Sequence, residues 1–134
     1  MKYKVAEDER DFEACKKLAR TEGLPEPECI FPTIMAIDEY GLAGFIATAP
    51  RSDMVLAGPL VLRSDRVRTF TALRLCLLYQ KVMTKLGIVS VIFGASPGSL
   101  LDKGIRRWFP NVTPYASDGE SQYYVWKINV KGAA

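Results

Sequence analysis

The stretch from Met54 to Gly87, with the strand that follows it, constrains the fold of this chain more than any other. It reads as an apolar strand, an arginine-rich turn, a long apolar helix and a second apolar strand. The first strand is Met54 to Leu62 and the turn is Arg63-Ser64-Asp65-Arg66-Val67-Arg68. The helix runs from about Thr69 to Leu86, and Gly87 stops it. Ile88 to Phe93 is β-branched and almost wholly apolar, the composition of an interior strand. Two strands joined by a crossover helix lie parallel in one sheet. The helix carries Phe70, Leu73, Leu77, Leu78, Val82 and Leu86, widened by Leu75, Cys76, Tyr79 and Met83. Only Arg74, Gln80, Lys81 and Lys85 clearly need water, and a stripe this wide implies burial against a sheet.

The rest of the chain supplies the sheet. Lys2 to Ala6 reads as a first strand. A helix of about 15 residues follows, with Asp8 as its cap and Asp11 near its positive end. Phe12, Cys15, Leu18 and Ala19 share one helical face, and Gly23 ends the helix. Leu24-Pro25-Glu26-Pro27-Glu28 is a connector, because two prolines remove donors and fix the backbone. Thr33 to Ile37 and Leu42 to Thr48 form a hairpin, and Met54 to Leu62 extends it into an antiparallel meander. Gly58-Pro59 interrupts that third strand, so a bulge or a lost pairing is expected there. After Phe93, Ser99 caps a short helix holding Leu100, Leu101, Ile105, Trp108 and Phe109, which Pro110 closes. Thr113 to Ala116 and Ser121 to Val130 form a closing hairpin around Asp118-Gly119. In its last strand Tyr123, Val125 and Lys127 alternate with Tyr124, Trp126 and Ile128, so both faces are at least partly covered.

A chain of 134 residues is read as one domain, residues 1–134, with 49% apolar and 25% charged side chains. The balance of 18 basic against 15 acidic residues, net +3, is too mild for a nucleic-acid binder, so any anion site must be local. The three cysteines, Cys15, Cys29 and Cys76, cannot all pair and match no metal spacing, which suits a reducing compartment. No apolar run is long enough to span a membrane. Met1-Lys2-Tyr3-Lys4 has no signal-peptide core, so the expectation is a soluble cytoplasmic protein without a metal.

The count with the largest chemical consequence is zero histidines. It removes Ser-His-Asp triads, Cys-His pairs and His-ligated metals together. Proton transfer near neutral pH would need a shifted carboxylate, Tyr, Lys or Cys, or a water. What does stand out is the start of the long helix. Free backbone N–H groups and the helix dipole meet Arg63, Arg66 and Arg68 there, a plausible anion site of the kind that holds phosphates. The same arginines also suit a solvated loop that keeps a helix end soluble.

The order β-α-β-β-β-α-β-α-β-β over nearly the whole chain resembles the GNAT family of acyl-CoA-dependent N-acetyltransferases. The resemblance implies an α+β fold with a mixed, mostly antiparallel sheet. Its fourth and fifth strands would be parallel and splayed, with acetyl-CoA lying in the gap. Gly58-Pro59 suits the bulge that opens such a gap. The family's pyrophosphate loop, Gln/Arg-x-x-Gly-x-Gly/Ala, falls on Arg66-Val67-Arg68-Thr69-Phe70-Thr71. Its first residue agrees, while threonine replaces both glycines. Glycines there let backbone N–H groups reach the phosphates without a Cβ in the way. Threonine is bulkier, though its hydroxyl can itself donate. The implied cofactor-binding residues are Val61, Leu62, Arg63, Arg66, Val67, Arg68, Thr69, Phe70 and Thr71. No Tyr stands where the family's general acid is found, and no Glu lies on the fourth strand to act as base. Tyr115, Tyr123 and Tyr124 are the nearest phenols, and core or rim packing accounts for them and for Tyr79.

Two readings follow. One is a working acyltransferase that moves an acyl group from CoA to an amine substrate. The other is a catalytically silent GNAT-fold module that binds a protein partner, assembles with copies of itself or other proteins, or sits in a bacteriophage virion. Its contact candidates are Arg106-Arg107-Trp108-Phe109 and the connector with Ile30-Phe31, although core packing of the short helix is the favoured account of Trp108-Phe109. A nucleic-acid role through Arg63, Arg66, Arg68, Arg106 and Arg107 has little support, since no aromatic lies among the turn arginines for base stacking.

Overall fold

A computed structural model describes residues 1–51, 54–63, 69–95, 100–109 and 112–128. The elements follow the expected order. They are β1 (Lys2–Val5), α1 (Glu9–Thr21), β2 (Ile30–Asp38), β3 (Gly41–Arg51), β4 (Met54–Leu62), α2 (Thr69–Lys85), β5 (Ser90–Ala95), α3 (Leu100–Trp108), β6 (Val112–Ser117) and β7 (Gln122–Lys127). They build a seven-stranded sheet in the order β1-β2-β3-β4-β5-β7-β6. β4 and β5 are its parallel pair and the other neighbours are antiparallel. The mixed α+β sheet read from the sequence is therefore the observed one.

Helix α1 starts where its cap says it should. The Asp8 carboxylate accepts the Asp11 N–H at 3.1 Å, satisfying one donor of the first turn. At the other end Gly23, with φ of 74°, turns the chain out of the helix.

Period-two alternation divides each inner strand between two cores. Ile34, Ala36 and Ile46 join the face covered by α2, with Leu75, Cys76, Tyr79 and Met83. Met35, Phe45 and Ala47 join the opposite face, with Cys15, Leu18 and Ala19 of α1. This is the pattern of a sheet buried on both sides.

The buried face of α2 is narrower than its composition suggests. Ala72, Leu75, Cys76, Tyr79 and Met83 are buried at helical spacing, whereas Phe70, Leu77 and Leu86 are 70%, 43% and 49% exposed. A helix wider in apolar residues than one sheet face leaves the choice of stripe to packing. Gln80, expected to face water, instead accepts the Trp126 indole N–H at 3.2 Å. Trp126 is fully buried, with ring centroids 5.0 Å from Phe109, 5.9 Å from Tyr79 and 6.3 Å from Phe93. It therefore ties α2, β5 and the segment after α3 to β7. Phe109 is core, and Trp108 packs half-buried against the same core, so core packing and not an exposed contact accounts for both.

Candidate functional site

The site begins with a fault in β4. Ile46 of β3 faces Leu60 and Thr48 faces Ala57, so the step from 57 to 60 on β4 opposes the shorter step from 46 to 48. One extra residue sits on β4 at Gly58-Pro59, as the sequence predicts. Gly58 has φ of 126°, a setting that favours a residue without a Cβ. The bulge reverses which residues face α2. Val55 and Ala57 pack on that side before it, Leu60 and Leu62 after it, while Val61 enters the α1-side core.

The bulge also ends the pairing of β4 with β5. Their register consists of Leu56 with Ile92 and Ala57 with Phe93. Beyond it β5 pairs with β7 through Gly94 and Ala95, while β4 stays on β3 through Leu60, Val61 and Leu62. Among the described residues β4 and β5 have no pairing past Ala57 and Phe93, so the strands splay at the bulge and a gap opens beside Gly58. The Arg63 N–H points to β3, donating to the Ala43 carbonyl at 2.8 Å. By strand alternation the N–H and C=O groups of Leu62 and Leu60 point the other way, into the gap.

Side-chain contacts hold the end of β4 against β3 and the β2–β3 turn. The Arg63 guanidinium binds Asp38 at 2.5 Å and the Leu42 carbonyl at 3.2 Å, and both its charge and that of Asp38 are largely buried. This pins the end of β4 to the β2–β3 turn. Gly44 allows the same approach. A Cβ there would lie 2.8 Å from the Val61 carbonyl and 2.7 Å from the Leu62 side chain.

On the α1 side the gap opens into a cleft of about 380 Å³. Its floor is β4, from Leu56 to Pro59, with Ala49 beside it. One wall is the connector from Leu24 to Glu28, and the other is Gly94, Ser121 and Tyr123. The Tyr123 hydroxyl donates to Asp118 at 3.2 Å, and its ring lies on Gly94, where a Cβ would come within 2.9 Å of it. We expect Gly94→Ala to destabilise the protein by about 1–3 kcal/mol through overpacking. The loss should shrink in a Tyr123→Ala background, as a double-mutant cycle by urea denaturation would show.

Tyr123 is the described phenol that borders the cleft. Tyr79 is buried and bonded to Thr48 at 2.7 Å, and burial pushes its pKa up to about 12, so it keeps its proton at neutral pH. Tyr124 is buried and donates to the buried carboxylate of Asp102, and Tyr115 is exposed on β6. The thiols are inert by the same physics. Burial pushes Cys15 and Cys76 up to about 12 and Cys29 up to about 11. Among the described residues, no group of His, Cys, Asp and Glu could hold a metal.

Of the cofactor-binding residues expected from sequence, Val61 and Leu62 lie on β4 just after the bulge, and Arg63 anchors the end of that strand. Phe70 is exposed in the first turn of α2, and Thr71 is buried. Thr69 begins the helix. Arg66, Val67 and Arg68 lie outside the described residues. The connector's part in a cleft was missed, because sequence spacing cannot show that residues 24–28 face residues 56–59.

No protein-family model matches the chain, and neither does any curated protein sequence. Solved structures do match. A PaiA N-acetyltransferase from Thermoplasma acidophilum, in complex with coenzyme A, superposes with a TM-score of 0.69 at 16% identity over 95% of this chain and 99% of its own. The aminoglycoside 6'-N-acetyltransferase from Enterococcus faecium gives 0.70 at 16% identity over 96% and 97%. A GNAT-family protein from Desulfovibrio desulfuricans gives 0.70 at 11% identity over 95% and 98%. The chain has the GNAT fold.

Proposed function

We propose that this protein transfers an acyl group from a coenzyme A thioester, acetyl-CoA in the simplest case, to an amine. The observation that carries the reading is the splay of β4 from β5 beside a bulge, with a cleft opening onto the same point. The gap fits an acyl-pantetheine arm. It is strand-shaped and bordered by the backbone groups of Leu60 and Leu62, which have no β5 partner among the described residues. A coenzyme A complex of the same fold, the Thermoplasma protein, supports the choice of donor.

In this reading Leu62 pairs with the amides of the arm. Pro59 has no N–H, so Leu60 carries the first donor after the bulge that faces the gap, and it polarises the thioester oxygen. Arg66, Arg68 and the backbone from Val67 to Thr71 receive the pyrophosphate, with the Thr69 and Thr71 positions taking the place of glycines. Arg63 serves the site by holding β4 in place. The acceptor comes from the cleft. Its nitrogen lone pair attacks the thioester carbon, the C–N bond forms, and the C–S bond breaks with its electron pair on sulfur. The ammonium proton leaves to water. Positioning of the two reactants supplies most of the acceleration in a site without histidine.

Calorimetry with acetyl-CoA tests this directly. Micromolar affinity is expected, falling about tenfold or more in Arg66→Ala as a charge-assisted phosphate contact is lost. No heat at millimolar acetyl-CoA would overturn the reading. It would leave a binding module, with the exposed Ile30 and Phe31 at the start of β2 as one candidate surface.

A further inference from the structure

The outer side of α2 carries cations and apolar side chains but no acid. Phe70, Arg74, Leu77, Lys81 and Lys85 are all exposed, and their spacing places them within an arc of about 80° on the helix surface. Phe70 and Leu77 belong to the part of the wide apolar stripe that the sheet leaves uncovered. The helix contains no Asp or Glu. Among the described residues no carboxylate pairs with Arg74, Lys81 or Lys85, and Arg74 lies over the Tyr3 ring at 6.0 Å.

The surroundings keep the same sign. Helix α3 lies on the α2 side of the sheet, since its Asp102 meets Tyr124 and Phe109 after it meets Trp126. Lys103 and Arg107 are exposed on α3, and its one acid, Asp102, is buried. Residues 66–117 carry eight basic side chains against that single acidic one, whereas residues 1–65 carry eight against twelve. The mild net charge of the chain therefore conceals a segregation, and a surface helix held in water alone usually mixes both signs.

We propose that the α2 face docks on an anionic lipid surface. Phe70 and Leu77 stand about 10 Å apart along the helix, close enough to enter one headgroup–acyl boundary together. Arg74, Lys81 and Lys85 lie between and beside them and meet the negative headgroups, each strengthening binding by about fivefold. Lys81 and Lys85 lie more than three turns beyond the start of α2, so they serve no phosphate bound there. A nucleic acid would engage the cations but give Leu77 no task, because bases stack on aromatic rings. The proposal is independent of the acyl-transfer reading.

Sedimentation of the intact protein with vesicles tests it, using phosphatidylcholine alone and phosphatidylcholine with about a third phosphatidylserine. Binding to the anionic vesicles should exceed binding to the neutral ones by about tenfold or more and fade as salt is raised. Lys81→Gln/Lys85→Gln should weaken it by about twentyfold. Phe70→Gln and Leu77→Gln should each weaken it by about fivefold or more at unchanged charge, through lost apolar burial. The substituted side chains are exposed, so thermal midpoints should stay close to that of the unaltered protein. No binding to the anionic vesicles at low salt overturns the proposal. So does binding that survives the double lysine substitution, or binding indifferent to both Phe70→Gln and Leu77→Gln. A duplex RNA oligonucleotide, run in parallel, should bind more weakly than the vesicles; RNA binding without vesicle binding would reassign the face to nucleic acid.

Discussion

Replacing Trp126 with alanine is expected to lower the unfolding free energy by about 3–5 kcal/mol, the range for removing a large buried aromatic. The side chain is fully buried and meets three aromatic rings from three parts of the chain. Its indole N–H also answers Gln80, which would be left without that donor. Small domains have only about 5–15 kcal/mol to lose, so the variant should be partly unfolded at physiological temperature. Urea denaturation checks the size of the effect. Trp126→Phe should lose less, because it keeps most of the volume and loses the hydrogen bond. If the two substitutions cost the same, the aromatic cluster does not hold the sheet together in the way described.

The second large effect is expected at Arg63. Truncating Arg63 to alanine removes its guanidinium from a largely buried Asp38, and breaking a buried pair costs about 3–5 kcal/mol. The functional consequence is separate from the stability loss. Without the guanidinium on Asp38 and the Leu42 carbonyl, the end of β4 is free to move toward β5 and narrow the gap. Acetyl-CoA affinity should therefore fall in Arg63→Ala even at temperatures where the variant is folded. Arg63→Lys should recover part of the stability but not the two-oxygen grip on Asp38. If Arg63→Ala bound acetyl-CoA as well as the unaltered protein, Arg63 would not be what holds the gap open.

The two variants also mark different depths of legibility. Trp126 could be placed in a covered strand from alternation alone, and its partners Phe93 and Phe109 stood in apolar segments. That it meets Tyr79 rather than Leu77 or Leu78 could not be read, because α2 has more apolar positions than one sheet face can cover. Arg63 was legible only as one charge among three in a turn. Its pairing with Asp38 depends on the antiparallel return of β4 past the β2–β3 turn, a contact between residues 25 positions apart. The connector is a similar case. Its prolines announced an irregular segment, but nothing local announced that Glu26 and Glu28 would line a cleft opposite Gly58 and Pro59.

The order and type of the elements were written in the residues. Turn glycines, the Asp8 cap and the change of hydrophobic period between strand and helix act over a few positions, so they can be read one window at a time. The bulge was also local, because a Gly-Pro pair in a strand removes a donor and a side chain whatever lies beside it. Only the assembled sheet decided how far β4 and β5 stay together, which stripe of α2 is buried and which charges share a cleft. Those outcomes depend on contacts between distant segments, and no single segment carries the geometry of its neighbours.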